Sequence, residues 1–180
     1  MTGKSYTLEP GQKATQVMIG TADLLIWGDL VTKEQVRISG FLTTLAEDFV
    51  PLYDARLLFL TPVQQTTPLE RPVVYVKLEE ILLFYALSGE VEIPEESEVR
   101  RFEPIEAIVG SFLIEGAILK SPIATLQNLL LVTKDAYIPI YKATIRHVAR
   151  SWLGAFSSGV VQLRRERLTV MVRQQAGMLS

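Results

Sequence analysis

The sequence predicts a β-rich α+β protein made of two pseudo-symmetric repeats, each a strand, a helix, a strand and a strand pair, in mainly antiparallel sheets. Three observations predict it. The segment Phe49-Val-Pro-Leu-Tyr-Asp-Ala-Arg-Leu-Leu-Phe59 recurs 88 positions later as Tyr137-Ile-Pro-Ile-Tyr-Lys-Ala-Thr-Ile-Arg-His147. Between the β-like runs, Ile38, Phe41, Leu42 and Leu45 follow the i, i+3, i+4, i+7 spacing of an amphipathic helix. The closing elements are short strand pairs rather than long crossovers, which favours antiparallel pairing.

Residues 1–15 are polar, with Gly3, Pro10 and Gly11, and read as a loosely held N-terminal arm. Residues 16–87 form the first repeat. Gln16–Val31, rich in Val17, Ile19, Leu24, Leu25 and Ile26, reads as one long strand or a bent pair, and Gly20 and Gly28 mark a bulge, kink or close approach. Thr32 and Gln35 fit a capping box for the helix, while Gly40 weakens its interior and makes Ser39 an alternative N-cap. Strict alternation from Phe49 puts Phe49, Pro51, Tyr53, Ala55, Leu57 and Phe59 on one face of the next strand. Pro51 cannot donate to a ladder, so it belongs at a strand start, bulge or edge. After a polar loop with three prolines, Val73–Leu78 and Ile81–Leu87 read as a strand pair broken at Glu79-Glu80.

Residues 88–104, with Glu92, Glu95, Glu96 and Glu98, read as an acidic linker. Residues 105–173 repeat the plan. Gly110 and Gly116 stand for Gly20 and Gly28, and Ser121-Pro122 reads as a helix start. Leu126, Leu129, Leu130 and Thr133 fall where Ile38, Phe41, Leu42 and Leu45 fell, and Val160–Val172 repeats Val73–Tyr85. Residues 174–180 form a tail. Two copies are too few for a solenoid and are expected to pack about a pseudo-twofold axis.

The matched pieces Val36–Leu45, Phe49–Ala55 and Leu78–Leu83 resemble an uncharacterised bacterial domain family of unknown function, present here as tandem copies. The second copy departs from the pattern with Lys142 in place of the Asp. The strand that leads into Asp-Ala is also similar to that of Sm-like small β-barrels, from which the inserted helix differs. The resemblance implies no activity.

Composition narrows the function classes. The 180 residues include no Cys and a single His, which excludes disulfides, thiolate chemistry and multi-His zinc sites. The segment from Met1 to Gln16 lacks the apolar core of a signal peptide, and no apolar run reaches the roughly 18 residues of a spanning helix. A soluble, cytoplasmic protein is expected. Residues 1–100 carry 8 Lys and Arg against 15 Asp and Glu, whereas residues 101–180 carry 10 against 5. Halves of opposite sign can attract each other within or between chains, although two solvated faces are the plainer reading.

No nucleophile elbow, phosphate loop, dinucleotide fingerprint or H-E-x-x-H pair is present. Asp23 and Asp29 share a strand face with Trp27 if alternation holds; a solvent-facing strand side explains them better than a catalytic pair. His147 replaces Phe59 and reads as a strand-end His with a hydrogen-bond partner. Asp54 and Lys142 occupy one position in the two copies and form a candidate inter-repeat ion pair, with two unconnected exposed charges as the alternative. Arg146, Arg150, Arg164, Arg165, Arg167 and Arg173, with Trp152 and Phe156 among them, form a basic cluster. Arginines interleaved with aromatics suit a polyanion or partner contact. The simpler reading has Trp152, Leu153 and Phe156 capping the core while the arginines are solvated. The expected function is therefore non-enzymatic: an interaction or assembly module without cofactor or metal, associating with copies of itself or with a protein partner. Nucleic-acid or polyanion binding by the basic second repeat is the alternative.

Overall fold

The strand Gln12–Gly20 (β1) turns at Thr21 and returns as Leu24–Lys33 (β2). The turn is tied locally: Thr21 donates its N–H to the Leu24 carbonyl at 2.9 Å, and its hydroxyl oxygen accepts from Leu24 N–H at 3.1 Å. These residues, with 4–44, 48–61, 67–87 and 93–172 in all, are described in a computed structural model. Phe49–Phe59 (β3) and Leu69–Lys77 (β4) continue the meander, and Leu83–Ala86 (β5) folds back beside β1. The second half repeats this with Arg101–Val109 (β6), Phe112–Lys120 (β7), Tyr137–His147 (β8), Ala155–Arg164 (β9) and Leu168–Val172 (β10). The result is one ten-stranded sheet in the order β10-β6-β7-β8-β9-β5-β1-β2-β3-β4, with every pair antiparallel. Each half thus has the same internal order, its fifth strand lying beside its first.

The α+β class is corrected: the protein is nearly all-β. Among the described residues, α-helix is confined to two seven-residue segments, Ile38–Thr44 (α1) and Leu126–Val132 (α2), too short to form a layer. The apolar spacing from Thr32 suggested more. However, β2 runs on to Lys33, so Thr32 is a buried strand residue whose hydroxyl has no partner among the described residues, not an N-cap. Short helices are marginal in water, and Gly40, Thr43 and Thr44 further weaken α1. Leu45 lies outside the described residues. In the second half, Ser121-Pro122 sits in a turn, and Thr125 is the N-cap, accepting from Asn128 N–H at 3.1 Å. Other boundaries shift as well: β1 takes in Gln12–Thr15 from the expected arm, and β6 takes in Arg101–Pro104 from the expected linker. β4 and β5 do not pair with each other; a single 3-10 turn, Leu78–Glu80, carries the chain from one side of the half to the other.

The repeated motif builds a β-bulge in each copy. Trp27 pairs with Arg56 and Asp29 with Tyr53, so Gly28 alone faces Asp54 and Ala55. Likewise Gly116 alone faces Lys142 and Ala143. Asp54 and Lys142 take up the extra residue in the left-handed region, at φ 48° and 51°. The bulge explains both conserved features of the motif. A Cβ on Gly28 would lie 3.0 Å from the Tyr53 carbonyl oxygen, and one on Gly116 would lie 2.8 Å from that of Tyr141. It also shifts side-chain parity by one. Val50 and Leu52 point inward before it and Ala55 and Leu57 after it, so the single apolar face expected from strict alternation is not the buried one. Pro51 and Pro139 lie beyond the bulge, where pairing with β2 and β7 has ended at Tyr53 and Tyr141, and their missing N–H leaves no gap there.

The first-half core gathers Val17, Ile19, Ile26, Leu30, Val50, Leu52 and Phe84. The second-half core gathers Ile105, Ala107, Ile114, Ile140, Ile145 and Val161, and extends over the back of the first half onto Met18, Leu25, Leu58, Leu83 and Tyr85. Each large side chain so buried contributes about 1.5–3 kcal/mol. No helix among the described residues is long and apolar enough to cross a membrane.

Gly116→Ala drives its methyl group against the Ile140 Cγ2 and the Tyr141 carbonyl and is expected to cost about 1–3 kcal/mol. Gly40→Ala meets nothing within 4 Å and is expected to gain up to about 1 kcal/mol. Urea unfolding of the two variants beside the parent checks both signs.

Candidate functional site

The two halves meet backbone to backbone. In the β5–β9 ladder Leu83 faces Leu163 and Phe84 faces Gln162, and Arg164 N–H extends the ladder to the Leu82 carbonyl at 2.9 Å. Two members of the expected basic cluster are spent here. The Arg164 guanidinium donates to the carbonyls of Ile81 (2.8 Å) and Leu78 and to the Tyr137 hydroxyl (2.8 Å). Tyr137 stacks under it, and its own hydroxyl also reaches the Leu78 carbonyl at 3.3 Å. Arg150, only 7% exposed, donates through Nε at 2.8 Å and through its terminal nitrogen to the Leu60 carbonyl. The planar, permanently charged fork of Arg suits such carbonyl capture in a dry setting.

The other arginines scatter. Arg146 pairs with Glu115 across β8 and β7 at 3.0 Å. Arg165 donates to the Asp135 carbonyl at 3.1 Å, Arg167 is exposed on the 3-10 turn after β9, and Arg173 lies outside the described residues. Leu153 and Phe156 pack against the core, whereas Trp152 is half exposed. The structure therefore gathers no single basic face from Arg146, Arg150, Arg164, Arg165 and Arg167.

Asp54 and Lys142 are not brought together either. Four strands, β9, β5, β1 and β2, separate β3 from β8 in the sheet. The Asp54 carboxylate accepts the Ser5 N–H at 3.1 Å and lies 3.9 Å from Lys4, while the Lys142 ammonium sits 5.1 Å over the Phe102 ring. The N-terminal segment, expected to be loose, is pinned to this bulge: Asp29 accepts from Lys4 Nζ and from the Tyr6 hydroxyl at 2.7 Å. The Asp29 carboxylate raises the Lys4 pKa, and burial first, then Asp29, raises that of Tyr6. A cleft of about 490 Å³ beside them is lined by Trp27, Asp29, Asp54, Arg56 and Leu87. Its one buried carboxylate is neutralised by donors of the chain itself, and Asp23 stands apart in the β1–β2 turn, bonded to the Thr61 hydroxyl at 2.6 Å. Among the described residues no three His, Cys, Asp or Glu are placed to hold a metal ion.

His147 is buried on the edge of the Phe112 ring, and its Nδ1 finds no hydrogen-bond partner among the described residues, unlike the partnered His expected from sequence. Burial, then the Arg150 charge, lowers its pKa.

Residues whose exposure the sequence did not reveal lie at the β4 end of the sheet. Corresponding pairs in β3–β4 and β8–β9 match Phe49 with Tyr137, Tyr75 with Gln162 and Lys77 with Arg164. The second-half members are packed into the junction. Their first-half counterparts face outward, Phe49 46% and Tyr75 64% exposed. An aromatic at the place of a buried Gln was the available sequence signal, and it needed the strand register to be read. Compared with protein-family models, curated proteins and solved structures, the chain matches none.

Arg150→Met removes the guanidinium donors from the buried Leu60 carbonyl, and Arg164→Met leaves the Ile81 and Leu78 carbonyls only neutral donors such as the Tyr137 hydroxyl at 3.4 and 3.3 Å; each is expected to destabilise by about 1–3 kcal/mol. Arg167→Met is expected to stay within about 0.5 kcal/mol. Unfolding midpoints in urea separate the two classes.

The lowered His147 pKa fixes the sign of a pH effect. The unfolded chain binds the proton more readily, so this contribution is complete above about pH 6.5 and is lost as pH falls below it. His147→Phe, which restores the residue of the first copy, is expected to flatten the fall in unfolding free energy between pH 7 and pH 5 relative to the parent.

Proposed function

We propose that the protein is a non-enzymatic assembly module of the cytoplasm, associating with copies of itself through the ends of its sheet. One observation carries this reading: among the described residues no strand pairs with the outer side of β4 or of β10, and the β4 end of the sheet exposes Phe49 and Tyr75 at the positions whose second-half counterparts are buried between strands. Open edges with exposed apolar side chains favour pairing with another chain. The common strand order of the halves supports reading them as tandem copies of one small domain, of the Sm-like kind that the motif resembles. Engagement of Arg150 and Arg164 in the junction, and of Arg146 with Glu115, speaks against a polyanion-binding face on the second half.

Sedimentation equilibrium at micromolar concentration is the test. A mass that is a multiple of 20.2 kDa, persisting at high salt, is expected. A chain that stays at 20.2 kDa at all concentrations overturns the reading. Salt-sensitive capture of single-stranded RNA, abolished by Arg165→Glu with Arg167→Glu, would establish the polyanion alternative instead.

A further inference from the structure

The internal junction specifies its own continuation. Within the chain, the fifth strand of the first half pairs with the fourth strand of the second. Among the described residues, the fourth strand of the first half and the fifth strand of the second have no partner on their outer sides, so the two ends of the sheet are the same two kinds of edge that already pair once. We infer that copies of this chain join head to tail, the β10 edge of one pairing antiparallel with the β4 edge of the next in the register of the internal junction. The inference rests on the assembly reading above and names its partner and geometry.

The register follows from the strand pairs. Leu83 faces Gly20 and Thr169 faces Ile108, and Gly20 and Ile108 each stand one residue before the last pair of their hairpin. Thr169 therefore corresponds to Leu83, Val170 to Phe84 and Met171 to Tyr85. On the other edge, Val76 corresponds to Leu163 and Tyr75 to Gln162. The internal pairs Leu83–Leu163 and Phe84–Gln162 become Thr169–Val76 and Val170–Tyr75 between copies. The backbone is ready for this. Arg164 N–H points across the junction, so by the twofold period of a strand the N–H groups of Lys77 and Tyr75 point away from β3 into the open edge.

The side chains fit the same occupant. Phe49 and Tyr75 are exposed where Tyr137 and Gln162 are buried by the first half, and Val148 (64% exposed) and Met171 (37% exposed) lie where Leu60 and Tyr85 are covered by the second. The external contact is also the more polar one. Thr169 and Arg146 replace Leu83 and Leu58, and Lys77, a point donor, stands where the Arg164 fork seals two carbonyls. The internal junction is permanent and the external one reversible. A heterologous contact of this kind closes into a ring or extends as a filament according to the rotation that each junction imposes.

The chain has no Cys, so a pair of introduced thiols reports the register directly. Thr169 and Val76 would face each other as a non-hydrogen-bonded pair, about 4.5 Å apart at Cα, which a disulfide can span. Under mild oxidation, Val76→Cys and Thr169→Cys are each expected to give no covalent dimer alone. They are expected to give one when mixed, and the double variant a ladder at multiples of 20.2 kDa. Tyr75→Pro removes only the outward donor and is expected to weaken association at least tenfold while circular dichroism stays that of the parent. Dimers formed by either single variant alone, or association unchanged in Tyr75→Pro with no mixed disulfide, would overturn the head-to-tail register and leave assembly itself standing. A folded parent that stays at 20.2 kDa, with no disulfide formed between the mixed Cys variants, overturns both.

Discussion

The four-residue strand β5 holds the architecture together, because it is paired on both sides. It lies between β1 of its own half and β9 of the other. Without β9, its outer backbone groups would be unpaired, and Met18, Leu58, Leu83 and Tyr85 behind it would face water. Burial within the sheet keeps the Tyr85 phenol protonated well above the usual range for tyrosine. Arg164, Tyr137 and Arg150 complete the seal by donating to the carbonyls of Leu78, Ile81 and Leu60 at the turn and strand ends. The first half is thus finished by the second. The two halves share one continuous sheet and are not independent beads on a linker.

The bulge opposite Gly28 and Gly116 gives each half its shape. A bulged strand bends and twists more strongly than a regular one, which lets a five-stranded meander bring its fifth strand back beside its first. Holding a non-glycine residue in the left-handed region costs of the order of 1–2 kcal/mol. The two copies offset that cost with different side-chain contacts. Asp54 accepts the Ser5 N–H and lies near Lys4, drawing the N-terminal segment over the bulge, while Lys142 rests on Phe102. The same backbone device therefore tolerates opposite charges, because neither charge is used against the other.

Much of this was legible in the sequence, and the failures have physical causes. The close approach at Gly28 and Gly116 and the strand-end prolines could be read because backbone constraints leave residue-specific marks, whereas Gly110 does not stand for Gly20: the register sets Gly20 at the place of Ile108, and Gly110 lies in the turn after β6. The fold class was misread because β2 keeps Thr32 in a strand where it mimics a cap, so that α1 begins only at Ile38. The buried face of β3 was misread because a bulge inverts alternation, and the equivalent Lys142 carries no mark of the left-handed backbone that Asp54 shares with it. The arginines were misread as a group because sequence proximity says nothing about direction: Arg164 and Arg165 are neighbours, yet one grips the first half and the other the Asp135 carbonyl.

Divergence between the copies is concentrated at the edges, where it separates two contacts of one geometry. Identical copies would present identical edges, and internal and external pairing would compete for the same strand. Here Leu83 and Leu58 stand at the inner junction against Thr169 and Arg146 at the outer, and Arg164 stands against Lys77. The apolar pair and the Arg fork favour the junction within the chain, which the covalent connection already favours by proximity. The polar pair and the lysine keep the outer edges soluble while leaving their backbone groups available. Specificity of this kind is a difference between two affinities, and it is set by weakening the outer contact as much as by strengthening the inner one.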